Sequence, residues 1–211
     1  MRCYLVRHAQ TVWNGQNRFQ GRGDSPLSAL GQEQARRLAE HFTAHPVGAV
    51  WSSALGRTIT TAQTIAGPLG LRPVVEPGLG EMDLGAWEGL TAQEVDGRFG
   101  GAYQRWRESP SQVTIPDGEP IDQFRQRVRT AFASVVAAAS TDRLLVVAHG
   151  GVIASLLADW LHTDFDRLLT RVVLNNAGIT AVEWNGRQPH TILWINGIAH
   201  LASHVTGGLD S

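Results

Sequence analysis

The sequence predicts an α/β fold built on a mostly parallel sheet, and two observations favour it. Short apolar runs alternate with segments whose apolar residues recur at helical spacing, as in strand-helix-strand units. Two of these runs, residues 4–6 and 144–148, end abruptly in Arg7-His8 and in His149. Ligands bind outside the carboxyl ends of strands in open α/β sheets. We therefore expect both histidines at one crevice if the two strands are parallel neighbours.

Length and composition narrow the class of protein. The 211 residues predict a single domain spanning residues 1–211, because one core of this size is common. A hydrophobic content of 43% and a charged content of 18% suit a globular chain and argue against disorder. The net charge of −1 gives no global attraction to nucleic acid or to an anionic membrane, so we expect neither as a partner.

The residue types at the amino terminus bear on location. The apolar run before Arg7 is too short for a signal-peptide core, and no stretch approaches the length of a membrane span. Cys3 is the single cysteine, so it forms no intramolecular disulfide and is expected to be a small buried thiol. We therefore expect a cytoplasmic protein.

The elements of the first half follow from apolar spacing and capping residues. After the first strand we expect a polar loop over residues 15–26, long enough to fold back over the crevice. Ser28 is placed to cap a helix with an apolar stripe. A short strand at residues 49–51 precedes a helix over residues 57–69, which puts Arg57 near the helix amino terminus. The stripe after Ser28 consists of Ala35, Leu38, Ala39 and Phe42.

The middle of the chain is punctuated by glycine and proline. Val74-Val75 predicts a short strand, and a glycine-containing loop over residues 78–89 carries Glu81. Thr91 and Glu94 have the spacing of a capping box and predict another helix. Three prolines predict a surface loop over residues 109–120.

The last part of the chain returns to alternating elements. A long helix from Ile121 leads into the strand that ends at His149. Gly150-Gly151 opens a helix over residues 152–161, whose amino-terminal N–H groups favour a bound anion. The sequence then predicts strands at residues 179–184 and 191–195, joined by a turn at Asn185-Gly186.

The polar residues at these element ends suit phosphoryl transfer. A phosphoryl group carries negative charge on its peripheral oxygens, and Arg7, Arg57 and His149 can stabilise that charge. All 18 basic residues are arginine, so every side-chain cation here is a planar, bidentate donor. The neutral imidazole of His8 is a candidate nucleophile. Glu81 is a candidate proton donor to the leaving oxygen, and later a base for water.

Simpler interpretations of the same residues remain open at this point. An Arg-His pair after a strand is mostly a surface accident, Arg57 alone fits a solvated helix residue, and Glu81 alone fits a loop carboxylate. A metal site on His8 and His149 is disfavoured. Neither histidine has a second ligand at metal-binding spacing, and adjacent arginines would repel a cation.

Several short motifs follow one another along nearly the whole chain. They are Arg7-His8 with Thr11, Asn14, residues 21–28, Ser52-Ser53 with Arg57, Glu81, residues 85–89, Asp117-Gly118-Glu119, His149-Gly150-Gly151, and Asn196 with His200-Leu201. In this order they resemble the histidine phosphatase superfamily, also called the phosphoglycerate mutase-like family. The resemblance implies a three-layer αβα fold with a mostly parallel central sheet.

The resemblance also implies roles for individual residues. By it, His8 is the phosphorylated nucleophile, Glu81 is the proton donor, and Arg7, Arg57 and His149 hold the phosphoryl group. Neither a metal nor another cofactor is expected. Further phosphate or substrate contacts fall on Asn14, Gln20, Gly21 and Gly150.

Within that family the sequence favours a phosphatase acting on a small organic phosphomonoester. Candidates are phosphoglycerate-type sugar acids, α-ribazole phosphate or a broad range of esters. Mutases of the family are usually longer and enclose the phosphoenzyme, whereas only about thirty residues separate Gly89 from Pro120. A bisphosphoglycerate-primed phosphoglycerate mutase and a noncatalytic phosphate-binding module are the alternatives. The oligomeric state is left open, with a homodimer among the options.

Two residues depart from the family pattern, and several aromatic residues bear on the substrate. Ala9 stands where glycine is usual and Gln10 where glutamate is frequent. Alanine fits if the backbone there does not need a positive φ. Core packing is the favoured role for Phe124. The candidates for an apolar rim around the site are Trp13, Phe19, Trp87, Trp106 and Phe124.

Overall fold

One six-stranded sheet organises the chain. The computed structural model describes residues 1–185 and 189–202, apart from the side chains of residues 189 and 190. The strands lie in the order β3-β2-β4-β1-β5-β6. They are β1 (Arg2–Arg7), β2 (Ala49–Ser52), β3 (Val74–Val75), β4 (Arg143–Ala148), β5 (Ile179–Trp184) and β6 (Pro189–Gly197). Both predicted strands of the tail are present, while Gly186 of the predicted turn lies outside the described residues.

The sheet is mostly parallel. Strands β3, β2, β4 and β1 run in one direction, and β5 and β6 pair antiparallel to their neighbours. Strands β1 and β4 are direct neighbours, with Arg7 opposite Ala148. His8 and His149 therefore leave the sheet at the same edge, which confirms the predicted pairing of the two histidine-bearing strands.

Helices cover both faces of the sheet. Because successive strand residues point to opposite faces, Cys3 and Leu5 pack on one side and Tyr4 and Val6 on the other. The first side is covered by α6, α7 and α8, and the second by α2 and α3. The predicted three-layer αβα fold is thus confirmed. The helices are α1 (Val12–Gly15), α2 (Ala29–Ala44), α3 (Gly56–Ala66), α4 (Ala92–Arg98), α5 (Ala102–Glu108), α6 (Ile121–Ala138), α7 (Gly150–Trp160) and α8 (Phe165–Arg171).

Capping residues explain where several helices begin and end. The Ser28 hydroxyl accepts from the Gly31 N–H at 3.0 Å, and Thr91 forms the predicted capping box with Glu94. Helix α3 ends at Ala66 rather than at residue 69 and continues as one 3₁₀ turn, because Pro68 has no N–H to continue an α-helical ladder.

Three short helices have no counterpart in the sequence prediction. Helices α1, α5 and α8 contain four, seven and seven residues, too few for a clear apolar period. The predicted loop at residues 109–120 contains one 3₁₀ turn, and it buries Pro110 and Ile115 rather than lying wholly on the surface. Among the helices described, none combines the length and apolar character needed to cross a membrane.

Candidate active site

A cavity of about 790 Å³ opens at the carboxyl edge of the parallel strands. Seven of the nine site residues predicted from the sequence line it. The remaining two, His149 and Gly150, lie immediately behind its wall, where His149 faces His8 and Gly150 adjoins Arg7. The lining residues among the nine are Arg7, His8, Asn14, Gln20, Gly21, Arg57 and Glu81.

His8 follows the last residue of β1 and is only 3% exposed. Its Nδ1 lies 2.8 Å from the carbonyl oxygen of Ala9. A carbonyl oxygen can only accept, so Nδ1 carries the hydrogen and Nε2 keeps the lone pair. Burial, followed by the charges of Arg7 and Arg57, holds the pKa of His8 well below its ordinary value. His8 is therefore a neutral imidazole with a nucleophilic Nε2.

The backbone around His8 accommodates the departure at position 9. Ala9 is fully buried, does not have a positive φ, and donates its N–H to the Thr61 hydroxyl at 3.2 Å. Gln10 is bound in turn, since its Oε1 accepts from the Ser28 hydroxyl at 2.7 Å. Alanine at position 9 and glutamine at position 10 therefore fit without backbone strain.

His149 precedes α7 and is completely buried. Its ring centroid lies 5.3 Å from that of His8. Its Nε2 lies 2.7 Å from the Ser53 hydroxyl, which lies 2.7 Å from the Thr58 hydroxyl. Thr58 donates its one hydrogen to the Leu55 carbonyl at 2.7 Å, so the chain runs from His149 Nε2–H through Ser53 and Thr58 to that carbonyl.

This relay leaves the second nitrogen of His149 for the site. Nδ1 is buried and has no hydrogen-bond partner among the described residues. Burial, and then the charge of Arg57, holds the pKa of His149 well below its ordinary value, so the ring is neutral. An anion nearby would favour protonation of Nδ1, because it would offset the repulsion from the arginines.

Arg57 lies in the first turn of α3, and its side chain is 1% exposed. Its guanidinium donates to the carbonyl oxygens of Gly21 and Gly23, both at 2.7 Å. The Asp24 carboxylate accepts from the Gly56 N–H at 2.6 Å and so caps the same helix. Arg57 therefore holds the loop against α3, while its buried Nε has no partner in the described part of the chain.

Arg7 brings a second buried cation next to Arg57. Its NH1 donates to the carbonyl oxygen of Leu174, while its buried Nε has no partner among the described residues. Burial lowers the pKa of both guanidiniums, with Glu81 opposing that shift. Arginine nevertheless stays charged. The cavity thus contains two concentrated positive charges with N–H groups left for an anion.

Glu81 enters the cavity from the loop after β3. Its Oε2 accepts from the Gly151 N–H at 3.0 Å, and its Oε1 accepts from the N–H of the next residue, Met82, at 3.1 Å. A Cβ at Gly151 would overlap Oε1. Glycine at this position, in the first turn of α7, is therefore what lets the carboxylate lie against the helix terminus.

The remaining predicted contacts come from the loop between α1 and α2. Gln20 is 7% exposed, and its Oε1 is buried without a partner among the described residues. Gly21 has φ +54°, and a Cβ there would overlap Glu88. The Glu88 carboxylate accepts from the N–H groups of Arg22 and Gly23, both at 2.7 Å, and thereby fixes the loop.

The outer part of the cavity is formed by aromatic residues and by helices α5 and α8. Three of the predicted rim aromatics, Phe19, Trp87 and Trp106, line it and pack in series with centroid separations of 5.7 and 5.6 Å. Trp13 and Phe124 do not line it, and Phe124 is a core residue, as predicted from the sequence. Other outer residues include Tyr103, Arg107, Glu108, Phe165, Leu169 and Arg171.

Sequence reasoning missed several residues that shape the site. Asp24, Ser53 and Glu88 are present in the recognised motifs, but their roles depend on three-dimensional contacts. Asn176 lies before β5 and donates to the His8 carbonyl oxygen at 3.0 Å. Its contact spans 168 residues along the chain, and no spacing rule could have found it.

Fold and site together define an α/β protein that places a neutral histidine among buried arginines, in a cavity suited to a phosphoryl group. The family model of the histidine phosphatase superfamily (branch 1) matches residues 3–197. The chain belongs to this superfamily.

Similar proteins include one named as a phosphatase and one named as a mutase. "Putative phosphoserine phosphatase 2" of Hydrogenobacter thermophilus is 34% identical over 94% of this chain and 97% of its own. "Probable phosphoglycerate mutase GpmB" of an Enterobacter strain is 31% identical over 97% of this chain and 95% of its own. The solved structure of Bacillus stearothermophilus YhfR superposes with a TM-score of 0.88 at 30% identity, covering 95% of this chain and 99% of that one.

Proposed function

We propose that the protein is a metal-independent phosphomonoester hydrolase that works through a phosphohistidine, with residues 1–211 acting as one domain. The observation that carries this proposal is the geometry at His8. Nδ1 is bound to the Ala9 carbonyl oxygen, so the free lone pair lies on Nε2 beside two buried arginines. A neutral nucleophile next to cationic phosphate ligands is what attack on a phosphate ester requires.

The reaction proceeds in two displacements. In the first, His8 Nε2 attacks phosphorus, the bond from phosphorus to the ester oxygen breaks, and Glu81 donates a proton to the departing oxygen. In the second, water attacks the phosphohistidine, Glu81 takes the proton from that water, and the bond from phosphorus to nitrogen breaks. Inorganic phosphate leaves, and both residues return to their starting states.

Cationic side chains hold the phosphoryl group during both steps. The guanidinium groups of Arg7 and Arg57, which line the cavity, are donors for its peripheral oxygens. Protonation of His149 at Nδ1, favoured by the bound anion, adds a third donor while Ser53 keeps the ring in place. Asn14, Gln20 and Gly21 line the same part of the cavity, and Gly150 lies at the amino terminus of α7 beside Arg7.

The outer cavity supports a substrate class. Arg107 and Arg171 line it, and the side chain of neither forms a hydrogen bond or ion pair within the described residues. Glu108 adds one negative charge against these two positive ones. We propose that the substrate is a small phosphomonoester whose organic part carries a carboxylate. The names of the two relatives above, which mention phosphoserine and phosphoglycerate, are consistent with this class.

The test is the release of inorganic phosphate from 4-nitrophenyl phosphate in excess chelator. We expect release by the wild type, and a loss of at least about a thousandfold in His8→Ala, because the nucleophile is gone. His45→Ala is the matched control, since His45 is exposed and does not line the cavity. Full activity in His8→Ala would exclude the phosphohistidine mechanism.

Glu81→Gln separates proton donation from nucleophilic attack. With an alkyl phosphate, whose leaving alkoxide needs a proton, we expect a loss of about 10²–10⁴-fold. The loss should be much smaller with 4-nitrophenyl phosphate, because that leaving group is stable as an anion. Equal losses on both substrates would assign the acid to another residue.

A phosphoglycerate mutase is the second candidate, because of the mutase-named relative. It predicts transfer of phosphate within phosphoglycerate after priming by a bisphosphate, with little phosphate released. In this chain residues 89–120 form α4, α5 and a wall of the cavity. The mutase-named relative aligns over 97% of this chain and 95% of its own length, so chain length does not separate the two candidates, and the measured release of phosphate does.

A further inference from the structure

The segment from residue 174 to residue 178, here called the clasp, crosses the end of β1 where the nucleophile begins. The Ala177 N–H donates to the carbonyl oxygens of Arg7 at 3.0 Å and of His8 at 3.3 Å. In return the Arg7 N–H donates to the Gly178 carbonyl at 3.2 Å, and the Arg7 guanidinium donates to the Leu174 carbonyl. The clasp therefore binds both the main chain and the phosphate-facing side chain at this strand end.

Asn176 is the clasp residue whose side chain contacts both His8 and Asn14. Its Nδ2 donates to the His8 carbonyl oxygen at 3.0 Å and to the Asn14 Oδ1 at 3.2 Å. A primary amide nitrogen carries two hydrogens, so one group satisfies both acceptors. Aspartate has no donor and serine has one, so neither reproduces this pair of bonds.

The bond to His8 fixes the peptide that follows the nucleophile. The His8 carbonyl belongs to the planar His8-Ala9 peptide, so holding its oxygen restricts rotation of that whole unit. The next carbonyl, that of Ala9, accepts from His8 Nδ1 at 2.8 Å and thereby keeps the lone pair on Nε2. Asn176 thus acts on the imidazole through the main chain.

The bond to Asn14 fixes a second group of the cavity. Asn14 Oδ1 already accepts from the N–H and the hydroxyl of Thr11, both at 3.1 Å, and Asn176 completes its set of donors. With Oδ1 held on this side, the Nδ2 of Asn14 is the end of the amide left for a ligand in the cavity that Asn14 lines.

We propose that Asn176 is a positioning residue for phosphoryl transfer, setting His8 Nε2 and Asn14 Nδ2 toward the same phosphoryl group. This inference rests on the proposed function. The local backbone supports it: Ala177 is fully buried with φ +60°, a left-handed conformation that alanine adopts only when its surroundings hold it. The clasp is itself held by Asn196, whose Oδ1 accepts from the Asn175 N–H at 2.7 Å.

The experiment compares Asn176→Asp with Asn175→Asp. The first substitution replaces the Nδ2 amide group, which donates both hydrogen bonds, by a carboxylate oxygen that only accepts. That oxygen would face the acceptor oxygens of His8 and Asn14. The second adds the same charge one residue away, where the side chain is exposed and makes no hydrogen bond within the described residues. Turnover of 4-nitrophenyl phosphate, thermal midpoint and calorimetric binding of inorganic phosphate are measured for both variants and the wild type.

We expect Asn176→Asp to lower kcat by about 10²-fold, the effect of a displacement near 1 Å, and to weaken phosphate binding about tenfold. Asn175→Asp should match the wild type in both. Wild-type kcat and wild-type phosphate affinity in a folded Asn176→Asp would overturn the inference. A purely structural role would lower the thermal midpoint and leave kcat per folded molecule unchanged, which also overturns it.

Two further variants cover the remaining outcomes. If Asn176→Asp does not fold, Asn176→Ser retains one donor without a charge and should show an intermediate loss of kcat and of phosphate affinity. The double variant of Asn14→Ala with the Asn176 substitution should lose less kcat than the product of the two single losses, because Asn176 acts partly through Asn14. Failure of the wild type to release phosphate would contradict the proposed function, while the phosphate affinities would still decide the role of Asn176.

Discussion

The inner and outer halves of the cavity are built in different ways. The inner half takes its groups from the ends of β1 and β4 and the start of α3, and His8, Arg57 and His149 are each at most 3% exposed. The outer half comes largely from two seven-residue helices, α5 and α8, and its arginines, Arg107 and Arg171, are exposed.

The two halves also differ in how their side chains are held. Inner side chains are each fixed by a hydrogen bond, as His8 is by the Ala9 carbonyl oxygen and His149 is by the Ser53 hydroxyl. In the outer half, the Ser111 hydroxyl in the turn after α5 donates to the Asp166 carboxylate of α8 at 2.6 Å, while the side chains of Arg107 and Arg171 make no bond within the described residues. The fixed groups of the inner half suit the stabilisation of developing charge, because they need no reorganisation during a reaction. The less constrained side chains of the outer half are sufficient to bind the organic part of a substrate.

Among the tests of this contrast between the two halves, the largest effect should come from a single methyl group in the inner half. Gly151→Ala places a Cβ where Glu81 Oε1 lies, so the carboxylate must move, and we expect alkyl phosphate turnover to fall by about 10²-fold. Gly150→Ala, one residue earlier, should show a smaller loss, because its Cβ would lie 3.6 Å from the nearest Arg7 atom. If Gly151→Ala and Gly150→Ala lost steady-state turnover to the same extent, the added methyl group would be disturbing α7 rather than Glu81.

A smaller, substrate-dependent effect is expected in the outer half. Arg107→Ala or Arg171→Ala should raise KM for a carboxylate-bearing phosphomonoester by up to about fivefold, the value of one exposed ion pair. KM for 4-nitrophenyl phosphate and kcat on both substrates should stay close to wild type. Arg105→Ala is the control, because Arg105 is exposed on the same helix but does not line the cavity. A fall in kcat would show that the outer half takes part in the chemistry.

The pH dependence of stability tests the burial of the inner half. His8 and His149 have a pKa well below the value of about 6.5 for an unfolded histidine, chiefly because they are buried. Below pH 6.5 the unfolded chain therefore takes up protons that the folded chain does not, and stability falls by at most about 1.4 kcal/mol per pH unit for each group. Urea midpoints at pH 7.5 and 5.5 should differ less in His8→Ala than in the wild type. An identical difference would mean that His8 is not held neutral.

The inner half could be predicted because its signal is local. Arg7-His8 and His149 follow apolar runs directly, so the parallel pairing of β1 and β4 was enough to bring the two histidines together. The outer half could not be predicted, because α5 and α8 are too short to show a period and Arg107 and Arg171 resemble any solvated arginine. Asn176 precedes a strand in an ordinary loop pattern, and its partner lies at the other end of the chain.

The long separation between His8 and its partners has a consequence for folding. The contact from Asn176 spans 168 residues, and β1 pairs with β4 and β5, which come from the second half of the chain. Closing such large loops costs chain entropy before the contacts repay it, so non-local pairings form slowly. Helices can form early during refolding, whereas the cavity around His8 exists only once β1 has paired with β4 and β5 in one sheet. Recovery of catalysis therefore reports completion of folding rather than its onset.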